Sequence, residues 1–372
     1  MTEIHLTKAL PLKEDRDRHG QTNETKRDRR WHRLSSQLAS PNRLRGRDDN
    51  HPPAAEVSTD DDQVTLIDNL GNATILNDGV AARSSFSADE PRDGTGNLSQ
   101  LGGDAVLNPE LPDEFLKALD PATGEPFDFS SVSPSDTQVS PFSVIGGDGR
   151  YAVDPGANPY NRIVFITYAL KGEPYVCTGS LVANRILATA AHCLNDGLGT
   201  SSTDNGTWGT NYKVWFGYTG VGSVATCGSN VTAAPNGFTN GGGNSNWDWG
   251  LLVLNCNAGN VFGSFRPVVQ TDIPLYTCEI TGLPGDKADQ QGYWSMFSMA
   301  GPINGMTDYR WTYSMDTAGG QSGGPVWGDN NPGCPGFCAI GIHTTGNVIF
   351  NAGSRITQNV VNAFDAYKTA YP

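Results

Sequence analysis

Short runs of β-branched and aromatic residues, separated by Gly, Asn and Pro, recur from about residue 144 to the end of the chain. They include the runs at 163–168, 180–183, 185–189, 213–217, 250–254, 278–282, 325–327 and 339–343. Runs of this length bounded by turn residues are typical of strands, and many in succession favour antiparallel barrels or sandwiches. The pattern predicts an all-β domain over residues 143–372.

Two other elements are predicted outside this series of strands. Near the C-terminus, Val360, Val361, Phe364 and Tyr367 fall on one helical face after a possible Thr357 cap. Far upstream, the apolar runs 64–67 and 73–76 flank the turn residues 69–72, which predicts a β-hairpin. A small folded piece is therefore expected within an N-terminal region that otherwise lacks periodicity.

Charge divides the chain at the same place as the strand pattern. Residues 1–142 hold 15 Lys/Arg and 25 Asp/Glu, a net charge of −10, and residues 143–372 hold 10 and 14, a net charge of −4, which together give the total of −14. Residues 1–62 alternate acids and bases with few apolar positions, so we expect them to be disordered. Interleaved acids, with few aromatic residues among the bases, argue against a nucleic-acid partner. Pro and Ser residues between 120 and 142 are typical of an exposed, cleavable linker.

All seven cysteines lie in the strand-rich part of the chain. Disulfides in a charge-poor, glycine-rich domain indicate an oxidising compartment, so we expect secretion. The first 30 residues contain no apolar stretch of the kind that a signal peptide needs, which conflicts with this expectation unless export uses another route or the natural start differs. No run reaches the length of a membrane span, and no membrane partner is expected.

Three segments contain the residue types of nucleophilic catalysis. Ser322 stands among glycines in the stretch 319–324, where the backbone can turn sharply and present N–H groups to an oxyanion. A serine nucleophile needs a base and a third group that orients the base. His192 follows the small residues 188–191, and Asp248 directly precedes the apolar run 250–254, where a carboxylate is costly unless it is paired.

The segments 189–193, 248–254 and 320–325, in this order, resemble the signature segments of the chymotrypsin-like serine peptidases. The resemblance implies two six-stranded antiparallel β-barrels, a His192–Asp248–Ser322 triad in the cleft between them and an oxyanion hole formed by Gly320 and Ser322. It also implies a disulfide between Cys177 and Cys193 beside the histidine. Neither a cofactor nor a metal is implied, and a monomer acting on protein or peptide substrates is expected.

Within this superfamily the segments 143–150, 281–287, 315–323, 342–344 and 353–356 look like those of bacterial and fungal glutamyl endopeptidases. The likeness implies that Thr317 and His343, with Thr344 beside them, bind a Glu or Asp side chain, because imidazole and hydroxyl groups supply the donors that a carboxylate needs. It implies that the mature N-terminus, Ser143 or Val144, adds positive charge nearby. Residues 1–142 then match a propeptide that covers this N-terminus, with cleavage near residues 142–143.

Several alternatives stay open at the level of sequence. Asp316 stands where trypsin-like enzymes carry the acid that binds Arg or Lys, which predicts cleavage after basic residues. Gln321 replaces the aspartate that usually pairs with the new N-terminus of such enzymes, so activation must differ. A catalytically inactive binding module and, since 320–324 also fits G-x-S-x-G, an esterase with an α/β-hydrolase fold are further readings, although the chain lacks helical crossovers.

The remaining cysteines leave their pairing open. Cys334 and Cys338 are close enough to close a small loop, Cys227 with Cys256 is one further pairing, and Cys278 is then left over.

Overall fold

A computed structural model describes residues 63–77, 93–112, 115, 144–201, 204–220, 222–331 and 333–372. The predictions of disorder over 1–62, of an exposed linker over 120–142 and of a role for Ser143 lie outside these residues. The strands are β1 (Gln63–Asp68), β2 (Ala73–Asn77), β3 (Val106–Leu107), β4 (Tyr151–Ala152), β5 (Ile163–Leu170), β6 (Glu173–Leu181), β7 (Ile186–Thr189), β8 (Thr210–Phe216), β9 (Ala225–Pro235), β10 (Gly250–Leu254), β11 (Arg266–Pro267), β12 (Cys278–Gly282), β13 (Phe297–Gly301), β14 (Ile303–Met306), β15 (Arg310–Tyr313), β16 (Pro325–Asn331), β17 (Cys334–Gly346) and β18 (Asn351–Arg355).

Helices are few and short except at the C-terminus. They are α1 (Asn236–Thr239), α2 (Ala258–Phe262), α3 (Gly285–Gln291) and α4 (Gln358–Ala370). No helix in the described part of the chain is both long enough and apolar enough to cross a membrane.

Six strands close the first barrel. The hydrogen-bonded order is β10-β7-β6-β5-β8-β9, and β9 also pairs with β10, so the sheet returns to its starting strand. Closure removes the free edges of the sheet and lets every inward side chain pack against the others. Strand β10 illustrates the result, because all of its residues, Gly250–Leu254, are buried.

The second sheet is a half-barrel with the order β14-β15-β18-β17-β16-β12-β13-β4. Strand β13 pairs with β12, β14 pairs with β15, and Pro302 is the one residue between β13 and β14. Proline has no N–H to donate to a ladder, so the chain bends here and passes from one pairing to the next. The predicted all-β fold is confirmed, with the first six-stranded barrel closed as expected and a half-barrel in place of the second six-stranded barrel.

The predicted C-terminal helix is also confirmed, with one difference at its start. Helix α4 buries Val360, Val361, Phe364 and Tyr367 in the apolar core that it shares with the first barrel. Thr357 occupies the N-cap position, but its side chain makes no capping hydrogen bond. Burial of the apolar face, rather than the cap, therefore stabilises this helix.

The predicted upstream hairpin forms and packs onto the first barrel. Strands β1 and β2 pair in antiparallel fashion around the turn residues 69–72, and β1 continues the sheet beside β9. The Asp68 carboxylate accepts from the N–H groups of Leu70 and Asn72, which closes the turn.

Two disulfides cross-link the first barrel. Cys177 is bonded to Cys193 and Cys227 to Cys256, as the sequence allowed, and Cys278 is a free, buried thiol. The first of these closes a loop that stabilises the fold by about 3 kcal/mol in the chain-entropy view. Cys338 is also disulfide-bonded, while the side chain of Cys334 lies outside the described part.

Candidate active site

The histidine and the aspartate lie at the same edge of the first barrel because of strand pairing. Strands β7 and β10 are antiparallel neighbours with Thr189 opposite Gly250, so the end of β7 and the start of β10 meet. His192 follows β7 on a single 3-10 turn, and Asp248 directly precedes β10. Topology thus brings together two residues that are 56 positions apart in the chain.

The Asp248 carboxylate holds His192 at two points. One oxygen accepts from the His192 backbone N–H at 3.0 Å, and the other lies 2.8 Å from the ring Nδ1. Asp248 is 3% exposed, and its own carbonyl accepts from the Ser354 hydroxyl at 2.8 Å. A buried carboxylate with two acceptor contacts to one histidine fixes both the turn and the orientation of the imidazole.

Glycines flank Ser322 because the loop packs against other backbone. Gly320 has a φ of +92°, and a Cβ there would lie 2.5 Å from the Leu283 carbonyl oxygen. Gly323 has a φ of +84°, and its Cβ would lie 2.0 Å from the Thr189 hydroxyl, next to the histidine turn. Glycine is therefore required at these two positions, because any side chain would prevent the loop from approaching both sheets so closely.

Thr178 joins the serine loop to the first barrel, and sequence reasoning missed this role. Its N–H donates to the Ser322 carbonyl at 2.8 Å, and its hydroxyl donates to the Gly320 carbonyl at 2.8 Å. The residue before it, Cys177, is cross-linked to Cys193, the residue after His192. One disulfide thus ties the anchor of the serine loop to the histidine turn. The one local signal for this role is that Thr178 follows Cys177 in the Cys-Thr-Gly-Ser stretch at residues 177–180.

Several polar groups of the serine loop are free of internal contacts. The Ser322 hydroxyl is buried and makes no hydrogen bond within the described part of the chain. In the same described residues, the N–H groups of Gly320 and Ser322 donate to no protein oxygen. Buried polar groups are ordinarily paired, so we expect these groups to have a partner from outside the described residues.

Asp316 is turned away from the loop and toward the segment that follows the proposed cleavage point. Its two oxygens accept from the N–H groups of Ile145 at 2.6 Å and Gly149 at 2.8 Å. The residue is 1% exposed. Its carboxylate is therefore engaged in holding residues 145–149 against the second barrel.

Arg150 and Gln321 extend this anchorage. The buried Arg150 guanidinium pairs with Asp148 and Asp286, and its Nη1 lies 3.5 Å from the Gln321 side-chain oxygen. That same oxygen accepts from the Ala318 N–H at 2.9 Å. A neutral amide at position 321 thus braces the serine loop and the 145–150 segment together.

Thr317 and His343 lie on either side of the serine loop. The backbone of His343 exchanges hydrogen bonds with the loop, since its carbonyl accepts from Gly323 at 2.7 Å and its N–H donates to Gly324 at 2.8 Å. Thr317 is fully buried, and its hydroxyl makes no hydrogen bond within the described residues.

Tyr313 contacts the His343 ring and was not anticipated from the sequence. The phenol oxygen lies 2.7 Å from His343 Nδ1, and both residues are buried. The pKa of His343 is lowered to about 3, chiefly by burial and also by the charges of His192 and Arg310. Burial also raises the pKa of the Tyr313 phenol well above its usual range. At neutral pH a protonated phenol therefore faces a neutral imidazole.

Two other residues predicted to bind substrate are Thr344 and Val144. The Thr344 hydroxyl accepts from Arg310 at 3.2 Å and lies 3.5 Å from the Ala352 carbonyl. Val144 is 37% exposed and directly precedes residues 145–149, which Asp316 anchors and which we call the anchored segment. Their roles toward a substrate stay predictions.

Comparison with known proteins agrees with this architecture. Residues 149–268 match the trypsin family. A solved structure of a Glu endopeptidase in complex with MPD is 27% identical, covers 61% of this chain and 99% of its own, and superposes with a TM-score of 0.52.

One relative carries a name from another protease class. A protein of Bacillus subtilis called an extracellular metalloprotease is 32% identical over 230 residues, which are 60% of this chain and 69% of that protein. In the described part of this chain, one group of side chains, Cys177, His192 and Cys193, brings potential metal-ligand atoms within 4.8 Å of one another. Its two sulfur atoms are joined in a disulfide, so they are not the thiolates that bind metal, and the group does not fit a metal site.

A further relative decides the family. The glutamyl endopeptidase of Bacillus licheniformis is 33% identical over 250 residues, which are 64% of this chain and 73% of that enzyme. With the trypsin-family match and the two barrel-like sheets, this identity shows that the chain is a serine endopeptidase of the glutamyl endopeptidase family, within the trypsin-like superfamily.

Proposed function

We propose that His192, Asp248 and Ser322 form the catalytic triad of this endopeptidase. The observation that carries the proposal is the double contact from Asp248 to His192. Ser322, whose buried hydroxyl has no partner in the described residues, lies on the loop that Thr178 and the Cys177–Cys193 disulfide tie to the histidine turn. Ser322 attacks the peptide carbonyl, His192 takes the hydroxyl proton and returns it to the leaving amine, and water then releases the acyl group.

The N–H groups of Gly320 and Ser322 receive the oxyanion in this mechanism. Support comes from their lack of protein acceptors in the described structure, and from the hydrogen bond of Thr178 to the Gly320 carbonyl, which orients the loop. Donors that are already in place need not reorganise when charge develops on the substrate.

The pocket beside Ser322 is proposed to bind a Glu side chain. Thr317 offers a buried hydroxyl without a partner among the described residues, and a phenol proton from Tyr313 to Nδ1 leaves the His343 proton on Nε2 as a donor. A neutral His343 can donate a hydrogen bond from Nε2 without the cost of burying a charged ring. The related enzyme of Bacillus licheniformis carries the same preference in its name.

The trypsin-like alternative through Asp316 is disfavoured. Both Asp316 oxygens accept backbone N–H groups from residues 145 and 149, and moving the carboxylate to bind a basic side chain would break both of these hydrogen bonds. The inactive binding module has no specific observation in its favour.

Substrate peptides that differ only in the residue before the scissile bond test the pocket. We expect kcat/KM for Glu to exceed that for Arg or Phe by at least about 10²-fold, because a carboxylate satisfies donors that the other side chains leave unpaired. Thr317→Val should lower the Glu value roughly tenfold or more and leave the Phe value nearly unchanged. Fastest cleavage after Arg would overturn the assignment.

Residues 1–142 are proposed to be a propeptide, and the protease domain to span 143–372. The anchorage of residues 145–149 by Asp316, which precedes Thr317, supports a role for the new amine of Ser143 or Val144 near the acidic side chain of the substrate. Secretion is proposed from the disulfides and from the extracellular relative.

Cleavage near residues 142–143 should therefore raise activity toward Glu substrates. The measurement compares the purified uncut chain with the same preparation after cutting, with N-terminal sequencing of the product. Asp316→Asn offers an internal check, because it loosens the anchored segment and should weaken the gain on cutting. An uncut chain as active as the cut one would count against the zymogen.

A further inference from the structure

Part of the proposed propeptide packs onto the first barrel. We call residues 63–77, 93–112 and 115 the docked segment. Within it, β1 continues the sheet at one end of β9, with Leu66 opposite Pro235 and Asp68 opposite Ala233. At the other end of β9, β3 pairs with Thr226 and Ala225. The docked segment thus adds backbone ladders to both ends of the same barrel strand.

Polar side chains reinforce these ladders at two points. Asn69 accepts from the Thr232 N–H at 3.0 Å and donates to the Asn230 carbonyl at 3.0 Å. Asp104 accepts from the Gly228 N–H at 3.1 Å and from the Asn255 side chain at 3.0 Å. Gly228 and Asn255 are next in sequence to Cys227 and Cys256, and the disulfide between these cysteines cross-links this part of the barrel.

Apolar side chains of the docked segment belong to the core of the molecule. Val64, Leu66, Leu76 and Leu101 are at most 4% exposed and pack in one cluster with the first barrel and helix α4. Phe115 is buried with Ile163, Phe165 and Trp294, and its carbonyl accepts from the Trp294 indole at 3.4 Å. Release of the segment would expose these residues together with the core surface beneath them.

Two glycines show how closely the segment fits. A Cβ at Gly103 would lie 1.6 Å from the Asn255 carbonyl oxygen, and one at Gly94 would lie 2.1 Å from the Val261 carbonyl oxygen. Both neighbours are backbone atoms that cannot rotate away. The barrel surface beneath the docked segment therefore accepts glycine at these two positions and excludes a strand that carries side chains there.

We propose that cleavage next to Ser143 leaves the docked segment bound, so that the active enzyme is a non-covalent assembly of two chains. The inference rests on the proposed zymogen. None of the contacts given above involves residues 116–143, so a cut in that interval breaks none of them.

The experiment uses the full chain carrying Ser322→Ala, which prevents self-digestion, cut within residues 116–143 by an added protease. N-terminal sequencing verifies the cut. We expect the two fragments to elute together on size exclusion at the volume of the uncut chain, in a one-to-one ratio by mass spectrometry, and to separate only in denaturant. Separate elution without denaturant would overturn the proposal.

A pair of adjacent glycines provides matched variants. Gly102 and Gly103 have φ values of +57° and +62°, so alanine carries a similar backbone strain at both. Only the Gly103 Cβ meets barrel backbone, whereas the nearest atom at Gly102 is the Asn257 side-chain nitrogen at 3.9 Å. After cutting, Gly103→Ala should weaken retention at least about tenfold relative to Gly102→Ala. Equal retention in both variants would contradict the proposed fit. If Gly103→Ala does not fold, the elution of the cut parent chain still tests whether the docked segment stays bound.

The activity of the cut wild-type chain, measured in parallel, separates this proposal from the zymogen. Fragments that elute together without a gain in activity would refute the zymogen and leave the docking intact. A gain in activity with fragments that elute apart would refute the docking alone.

Discussion

Replacing Ser322 with alanine is expected to lower kcat on the order of 10⁶-fold toward every peptide substrate, because the acyl-enzyme can no longer form. The loss should be the same for Glu and Phe substrates, since the hydroxyl reacts with the carbonyl and does not contact the side chain. Stopped assays with active-site titration measure the effect. A serine-reactive phosphonate should label the parent chain at Ser322 and leave the variant unlabelled.

A second buried serine supplies the control. Ser229 on β9 is 6% exposed, and its hydroxyl donates to the carbonyls of Val231 and Val253, far along the first barrel from the site. Ser229→Ala should lower the free energy of unfolding by about 1 kcal/mol and leave kcat almost unchanged. Substantial peptide hydrolysis by Ser322→Ala, or failure of the phosphonate to label the parent, would favour the inactive binding module.

Asp248→Asn is expected to reduce kcat roughly 10⁴-fold at neutral pH. The reason lies in the two contacts of this side chain. The His192 backbone N–H requires an acceptor at Oδ1, so the amide oxygen of asparagine stays there and the NH₂ group faces the ring Nδ1. Nδ1 must then accept, the proton moves to Nε2, and the ring can no longer take a proton from Ser322. Single-turnover and steady-state kinetics against pH measure the loss.

Asp196 is a suitable control carboxylate for that experiment. It lies in the same barrel, its side chain is 8% exposed, and it also accepts backbone N–H groups, from Leu198 and Thr207. Asp196→Asn should affect stability more than turnover. Equal losses of activity in the two variants would mean that Asp248 acts only by supporting the fold.

Local signals were sufficient for part of the strands, for the helix and for the order of the candidate residues. The short apolar runs predicted strands in both sheets but missed β9, β13, β14, β15 and β18. The spacing of Val360, Val361, Phe364 and Tyr367 predicted α4. Resemblance added the pairing of Cys177 with Cys193. These features succeed because each depends on residues that are close in sequence or on a motif that is read as a unit.

Side-chain direction could not be predicted in the same way. Asp316 looked like a candidate for binding basic residues until its oxygens were found on the N–H groups of Ile145 and Gly149, about 170 positions away. Tyr313 carried no sequence signal of its own, and Thr178 carried only its place in the Cys-Thr-Gly-Ser stretch, although they contact the His343 ring and the serine loop. Such contacts depend on how the two sheets meet, which no local pattern encodes.

By itself, the sequence determined that this is an all-β chain with a glycine-flanked serine, a histidine after a strand and an aspartate before one, because periodicity and turn chemistry act over a few residues. Only the tertiary structure decided that Asp248 reaches His192, that Asp316 faces residues 145–149, and that the hairpin at 63–77 extends the sheet of the first barrel beside β9 instead of standing alone. The local sequence is compatible with several orientations of these side chains. Long-range strand pairing and burial stabilise one of them, and these contacts form only when the sheets close.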